Sequence, residues 1–465
     1  MDNFRTVDRD TPFLLPPSVD EWLPQRHLAR FVVEVVEGLD LRAMTGSYRG
    51  SGSKAHHPRM LLALLIYGYA TGVHSSRKLE RASYDSVAFR FIAGNEHPDH
   101  DTIAVFRGRF LKPIEALFVR VLILAREMGM LSLGTVALDG TKIHANASRH
   151  SALSYEYAGK IEAQLKKEVA VLLARAEAAD AADLPDGFSL PEELELREER
   201  LKKLAEAKAK IEARAAERHA RETAEHEATM AARQARIAEV GRKPGGKPPA
   251  PPEPGPKPKD QINLTDEESR IMPVPGGGFD PCYNAQAAVA AGSNLVVAVG
   301  VTQAANDVGQ VEPMLEKLAA IAGEVGPCAT LLADTGYHSA SNLAACEVAG
   351  VEPLIAAGRQ PHHPPLAERL AEKPENRDPP DPDAPSPAKP TPTEANARRL
   401  KTPEGRKLYA LRKQTPEPVF GAIKAAMGFR QFTLRGLEKA RGEWSLVAMA
   451  WNVKRMFALR GLQTA

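Results

Sequence analysis

The sequence predicts a mixed α/β fold that is preceded by an all-α N-terminal domain and interrupted by a helical insertion. Three observations support this fold class. Residues 11–130 have helical periodicity throughout, short apolar runs alternate with helical segments between residues 135 and 356, and residues 155–240 are rich in Ala, Glu, Lys and Arg. Alternating strands and helices are typical of a mixed sheet with crossover helices.

Composition narrows the class of protein. The 465 residues carry a formal net charge of +2, with 43% hydrophobic and 26% charged residues, which excludes a wholly disordered or fibrous chain. The 3 cysteines form no Cys-x-x-Cys pair, so a disulfide framework and a zinc knuckle are excluded. The first residues are unlike a signal peptide, and no apolar run reaches the ~18 residues of a membrane span. We therefore expect a cytoplasmic protein without a membrane partner.

The N-terminal domain, residues 1–130, is predicted to contain helices at 58–70, 77–92 and 101–128. The short break at residues 71–76 is typical of a helix-turn-helix. Arg77, Lys78 and Arg81 stand on the first turns of the helix that follows, where cations contact phosphates and neighbouring residues contact base edges. An ordinary helical bundle explains the same pattern equally well.

The α/β core is predicted in three segments, residues 131–154, 261–360 and 401–465. Strands are expected at 135–138, 283–291, 295–301, 330–333 and 351–356, with a hairpin turn at 292–294 and helices at 310–325 and 341–349. Two segments interrupt this core. The insertion 155–240 carries two apolar stripes that predict a coiled-coil-like helical hairpin turning near residues 183–187. Residues 241–260, with 8 prolines and 4 glycines, and residues 361–400, proline-rich through residue 392, are predicted linkers.

Positive charge is concentrated in two segments. Residues 405–465 contain 12 Lys and Arg against 3 acidic residues, and residues 42–112 contain 11 against 5. Such clusters favour a polyanionic partner, although Lys and Arg that only keep helix surfaces in contact with water would give a similar excess of positive charge.

Two aspartates occupy matching positions. Asp139 and Asp334 each follow a short apolar run that predicts a strand, so each is expected at the C-terminal edge of the sheet. Two such carboxylates suit a divalent cation with oxygen ligands, whereas either aspartate alone is equally typical of a turn. Glu417 is the candidate third carboxylate. It shares a helical face with Phe420 and Lys424, although an acidic residue in a first helical turn also interacts favourably with the helix dipole.

Three blocks of this sequence resemble bacterial insertion-sequence DDE transposases: Val-Ala-Leu-Asp139-Gly-Thr-Lys, Leu-Leu-Ala-Asp334-Thr-Gly-Tyr-His, and residues 409–424. The stretch Tyr283-Asn-Ala-Gln-Ala-Ala-Val289 and the pair Asn306-Asp307 are also similar to this family, and residues 57–110 resemble its InsH-type N-terminal domain. The resemblance implies an RNase H-like catalytic core with Asp139, Asp334 and Glu417 as the acidic triad. It also implies phosphate contacts by Tyr409, Lys424 and a cation before Glu417. The family has three residues between its arginine and its glutamate, and here four separate Arg412 from Glu417, so Lys413 is an equal candidate.

The resemblance implies a transposase that uses Mg²⁺ or Mn²⁺ to cleave and join DNA strands. Its partners would be double-stranded DNA, as terminal inverted repeats and target, and a second copy of the chain in a synaptic complex at the nucleoid. Three alternatives remain: a domesticated DNA-binding regulator, a metal-dependent nuclease without strand transfer, and a helical scaffold based on residues 155–240.

Overall fold

The computed structural model describes residues 18–48, 55–177, 190–241, 247–358 and 391–463. These residues form two compact units, one made of Met1–Ala145 with Tyr283–Ala465 and the other of Asn146–Cys282. The predicted turn at 183–187 and most of the proline-rich segment 361–392 lie outside the described residues. Within the part of the chain described, none of the helices combines the length and apolar character that crossing a membrane requires.

The N-terminal part of the first unit is helical, as predicted. Its helices are α1 Val19–Trp22, α2 Leu28–Glu37, α3 Arg42–Thr45, α4 Pro58–Thr71, α5 Ser76–Asp85, α6 Val87–Ala93, α7 His100–Arg109 and α8 Leu111–Glu127. Two predicted helices are each split in two. Ser86 is extended, with φ −114° and ψ 125°, and separates α5 from α6. Phe110 leaves helical geometry between α7 and α8, and Pro113 lies in the first turn of α8, where a missing N–H breaks no helical hydrogen bond.

The sheet of the first unit is mixed, in the order β6-β5-β1-β7-β8. Its strands are β1 Gly134–His144, β5 Phe279–Ala290, β6 Val296–Thr302, β7 Cys328–Ala333 and β8 Glu352–Ile355. The pair β5–β6 is antiparallel and closes through the predicted hairpin, whereas β1–β7 and β7–β8 are parallel. The helices α11 Val311–Val325 and α12 Ala340–Val348 follow β6 and β7 as predicted.

Four C-terminal helices complete the first unit: α13 Pro392–Lys401, α14 Pro403–Gln414, α15 Pro416–Ala425 and α16 Leu437–Gln463. Helix α13 occupies the end of the segment that the sequence assigned to a linker, and a capping box between Thr391 and Glu394 fixes its start. Helix α16 packs against α4, α8 and β6, and its Trp444 is among the largest fully buried side chains. The C-terminal segment is therefore integral to the core.

The second unit contains two long helices in the segment predicted as a coiled-coil-like hairpin. Helices α9 Tyr155–Glu177 and α10 Leu190–Val240 pack together, and β2 Ala152–Ser154 pairs antiparallel with β3 Gln261–Asn263. Leu165, Leu204 and Ile211 lie in one buried cluster, as the apolar stripes predict, whereas Leu173 is 44% exposed. The strand β4 Arg270–Pro273 pairs with the first residues of β5, up to Cys282. Residues 247–260, a described part of the predicted linker 241–260, contain neither helix nor strand.

Candidate functional site

The register of two parallel strands places Asp139 and Asp334 at matching positions. Ala137 on β1 pairs with Leu332 on β7, so each aspartate stands two residues further along its own chain. Asp334 directly follows β7, as predicted. Asp139 does not end its strand, because β1 continues to His144. The prediction for Asp139 was wrong in this respect: residues 140–144 lack an apolar run, yet the backbone stays extended.

The electrostatics of Asp139 show that other carboxylates lie close to it. Burial, followed by the negative charges of Asp334 and Asp307, raises the pKa of Asp139 to about 7, although the Gly140 backbone N–H and the Arg412 guanidinium act against this shift. The Gly140 N–H donates to Asp139 Oδ1 at 2.8 Å, and the Gly336 N–H donates to Asp334 Oδ1 at the same distance. Each aspartate therefore has one oxygen fixed by a backbone amide.

Two tyrosines border this acidic cluster. Burial, and then the charges of Asp307, Asp139 and Asp334, hold the pKa of Tyr337 well above its ordinary value. Burial also raises the pKa of Tyr409, with Arg412 acting against the shift. Tyr409 packs with Ala137, Leu332 and Leu354 on the sheet, so helix α14 covers the strands that carry the aspartates.

Arg412 is the cation of helix α14 that lies next to the aspartates. Its side chain is 13% exposed, its Nη2 lies 3.5 Å from Glu417 Oε1, and its buried Nε has no hydrogen-bond partner among the described residues. Lys413 is exposed. Arg412 lies close enough to Asp139 to lower its pKa, and exposed Lys413 points to solvent, so Arg412 is the cation found beside Asp139.

Glu417 and Lys424 are both on α15, where the sequence predicted that they share a face with Phe420. Phe420 is buried, whereas the Glu417 side chain is 54% exposed and contacts Arg412. Lys424 Nζ donates to Thr141 Oγ1 at 2.5 Å and to the Lys142 carbonyl at 3.0 Å, which ties α15 to β1 just after Asp139. Within the described residues, no group of three or more acidic, histidine or cysteine side chains is arranged to hold a metal ion. The triad with Glu417 stays a prediction.

The sequence did not assign a site role to the polar residues of β5. Asn284 and Gln286 are fully buried, and both donate to Asp307 Oδ1, at 2.6 and 2.7 Å. Tyr337 Oη donates to Gln286 Oε1 at 2.5 Å. Polar residues two positions apart in an otherwise apolar strand share one face, and that spacing was the available signal.

The three basic residues predicted to meet DNA are on the surface of α5. Arg77, Lys78 and Arg81 are exposed, and none forms an ion pair within the described residues. The turn before α5 uses Gly72 at φ +89°, and a Cβ on Gly68 would lie 2.5 Å from Leu79 Cδ2, so glycine allows α5 to pack closely on α4. The structure thus places two adjacent helices and an outward basic face where a helix-turn-helix was predicted.

Two family models match the chain. Residues 17–109 match a transposase domain (DUF772), and residues 386–457 match a transposase DDE domain. The first match contains the α4–α5 turn with its basic residues, and the second contains Arg412, Glu417 and Lys424. Asp139, Asp307 and Asp334 lie outside both matched ranges. No curated protein and no solved structure matches the chain.

Proposed function

We propose that this chain is an insertion-sequence DDE transposase, as its two transposase-domain matches suggest, and that it binds the terminal inverted repeats of its element and cleaves and joins DNA strands. The observation that carries the proposal is the pair Asp139 and Asp334, set two residues beyond paired positions of parallel strands. The sheet order, with β1 between an antiparallel pair and two parallel strands, supports the RNase H-like core.

The residues of this acidic cluster fit a hard divalent cation such as Mg²⁺ or Mn²⁺. Their donor atoms are carboxylate and amide oxygens, and the buried Asn284 Oδ1 has no hydrogen-bond partner among the described residues. Asp139 and Asp334 would hold the ion, with Glu417 as the third carboxylate. A bound cation supplies Lewis-acid activation of the attacking water or 3′-hydroxyl and neutralises charge on the scissile phosphate.

The cations around the site would position DNA. The Arg412 Nε has no hydrogen-bond partner in the described part of the chain, and as a donor beside the aspartates it suits a phosphate oxygen. Lys424 would hold the strand after Asp139 in place, and Tyr409 would support Arg412 from the same helix. The exposed basic face of α5 would meet the terminal repeat, and a second copy would supply the other end in a synaptic complex. The helical hairpin of the second unit would be coiled-coil-like.

Cleavage and binding, measured separately, test this proposal. We expect Asp139→Asn, Asp334→Asn and Glu417→Gln to abolish Mg²⁺-dependent cleavage of a duplex bearing the terminal repeat. Binding of that duplex should change by less than about threefold, because the basic surfaces and not the carboxylates contact the backbone. Glu404→Gln, an exposed first-turn glutamate of α14, is the matched control. Cleavage that survives in Asp139→Asn would contradict the proposal.

Charge reversal on α5 tests the DNA-binding face. Arg77→Glu should weaken binding to every duplex similarly and reduce the slope of log affinity against log salt by about one. Arg406→Glu on α14, also exposed, serves as a comparison on the other basic segment. If the affinity for the repeat does not depend on salt, neither basic segment contacts the DNA backbone.

A further inference from the structure

Asp307 is held beside the two catalytic candidates by a buried amide pair. It stands after β6, and its Oδ1 accepts from Asn284 Nδ2 at 2.6 Å and from Gln286 Nε2 at 2.7 Å. Tyr337 Oη donates to Gln286 Oε1. Rotation of the Gln286 amide would therefore break this hydrogen bond and the one to Asp307 Oδ1. One oxygen of Asp307 is therefore fixed, and no hydrogen bond within the described residues reaches Oδ2.

The orientation of Asn284 leaves an oxygen without a donor. Its Nδ2 faces three acceptors, Asp307 Oδ1 together with the carbonyls of Ala304 at 3.2 Å and Asn306 at 3.5 Å. The amide oxygen must therefore point the other way. Asn284 is 0% exposed, and its Oδ1 has no hydrogen-bond partner in the described part of the chain. Buried polar atoms without a partner are rare in folded proteins and call for a ligand or another explanation.

These oxygens converge on the backbone next to Asp139. A Cβ built on Gly140 would lie 2.6 Å from Asp307 Oδ1 and 3.0 Å from Asn284 Oδ1. A Cβ on Gly336 would lie 3.8 Å from Asp307 Oδ2 and 3.0 Å from Asp334 Oδ1. The Asp307 carboxylate thus spans the space between the segments of Asp139 and Asp334, with one oxygen toward each.

We propose that Asp307 Oδ2 and Asn284 Oδ1 are oxygen ligands of the divalent cation, beside Asp139 and Asp334. This inference rests on the proposed function and extends it, because neither residue belongs to the acidic triad that the sequence predicts. Glu417 is half exposed and contacts Arg412, whereas Asp307 is fixed within the cluster. A cation would supply the missing partner of Asn284 and neutralise three carboxylates that repel one another. It would thereby draw together side chains that, in the described residues without the ion, are not arranged to hold a metal.

Binding of Mn²⁺ to the full-length protein, measured by titration calorimetry without DNA, tests the inference. We expect Asp307→Asn to weaken Mn²⁺ affinity by at least about tenfold, since even outer-shell partners of a metal site commonly contribute 10–100-fold. Glu312→Gln removes an equal charge from the exposed start of α11, a few residues away, and should leave affinity unchanged. Gly140→Ala is the second variant. Its methyl group would displace both amides without removing a carboxylate, and it should also weaken binding.

The outcomes separate this inference from the proposed function. If Asp139→Asn abolishes Mn²⁺ binding while Asp307→Asn and Gly140→Ala bind as the unmodified protein does, Asp307 is no ligand and the inference fails alone. If the unmodified protein binds no Mn²⁺, the proposed metal-dependent function fails with it. Thermal unfolding without metal shows whether each variant is folded. Should Asp307→Asn fail to fold, Gly140→Ala decides.

Discussion

A buried and a partly buried carboxylate of the first unit have opposite surroundings. Glu443 on α16 is fully buried and accepts hydrogen bonds from Tyr69 Oη at 2.6 Å, from the Thr433 and Leu434 backbone amides at 2.9 and 3.0 Å, and from the Thr433 hydroxyl. Within the described residues, Asp139 receives one hydrogen bond, from Gly140, and has two carboxylates as neighbours. In this part of the chain Glu443 thus has four donors, whereas Asp139 has one donor and lies beside two like charges.

The difference separates structural from chemical roles. A carboxylate that four donors satisfy stabilises the fold, and Glu443 joins α16 to α4 in this way. A carboxylate left beside like charges destabilises the fold, and such groups cluster where a ligand or reaction uses them. Arg107 extends the Glu443 network, because its Nη1 donates to Tyr69 Oη at 3.1 Å and to the His74 carbonyl at 2.9 Å.

The largest expected effect on stability comes from removing the satisfied carboxylate. Glu443→Ala leaves buried donors without an acceptor and should lower the free energy of unfolding by about 3–5 kcal/mol. Glu438→Ala, an exposed residue of the same helix that pairs with Lys112, should cost no more than about 1 kcal/mol. Urea denaturation measures both. Equal values for the two variants would show that the network contributes no stability.

The unsatisfied carboxylate should behave in the opposite way. The unfolded chain loses the Asp139 proton near pH 4, whereas the folded protein keeps it to about pH 7, so between these values the folded state binds more protons. The free energy of unfolding therefore falls as pH rises through this window, and Asp139→Asn removes that loss. At pH 8 without metal we expect the variant to be more stable by on the order of 2–4 kcal/mol, and near pH 4 about equal.

Denaturation at both pH values checks the sign. The same experiment with saturating Mn²⁺ should reduce the difference, because ligand binding stabilises only the protein that retains the carboxylate. A variant that is less stable than the unmodified protein at pH 8 in the absence of metal would contradict the raised pKa.

Substitutions of two tyrosines, one beside each carboxylate, should have smaller effects on stability. Tyr69→Phe removes a donor to the charged Glu443 and should cost about 1.5–3 kcal/mol of stability. Tyr337→Phe removes a donor to the neutral Gln286 amide and should cost about 0.5–1.5 kcal/mol. Only Tyr337→Phe should also weaken Mn²⁺ binding, because it releases the amide that orients Asp307. Calorimetric titration of both variants gives the test, and equal Mn²⁺ affinities would count against that role.

The smallest effect is expected from the second unit, which contains neither carboxylate. Ser154 and Gln261 are directly paired across β2 and β3, so an Asn-Gly turn can join them in place of residues 155–260. The free energy of unfolding of the first unit should then change by no more than about 0.5 kcal/mol. Differential scanning calorimetry would detect a larger change, and loss of cooperative unfolding would show that the hairpin is needed by the core.

Local patterns in the sequence determined most of the elements. Alternation over residues 283–301 predicted β5, β6 and their hairpin, and the apolar stripes predicted the packed pair α9–α10, because these patterns follow from strand and helix periodicity. Helix boundaries were less well determined. The single helix predicted over 77–92 breaks at Ser86, and the segment assigned to a linker ends in the capped helix α13.

The sequence by itself also singled out Asp139 and Asp334, because each follows a buried apolar run. Only the tertiary structure brought Asp307, Asn284 and Gln286 to the same place, and only it placed Arg412 beside Asp139 while leaving Lys413 exposed. The physical reason is that charge–charge coupling and hydrogen bonding depend on distance in space, and β1, β5, β7 and α14 are joined by strand register and packing across long chain separations.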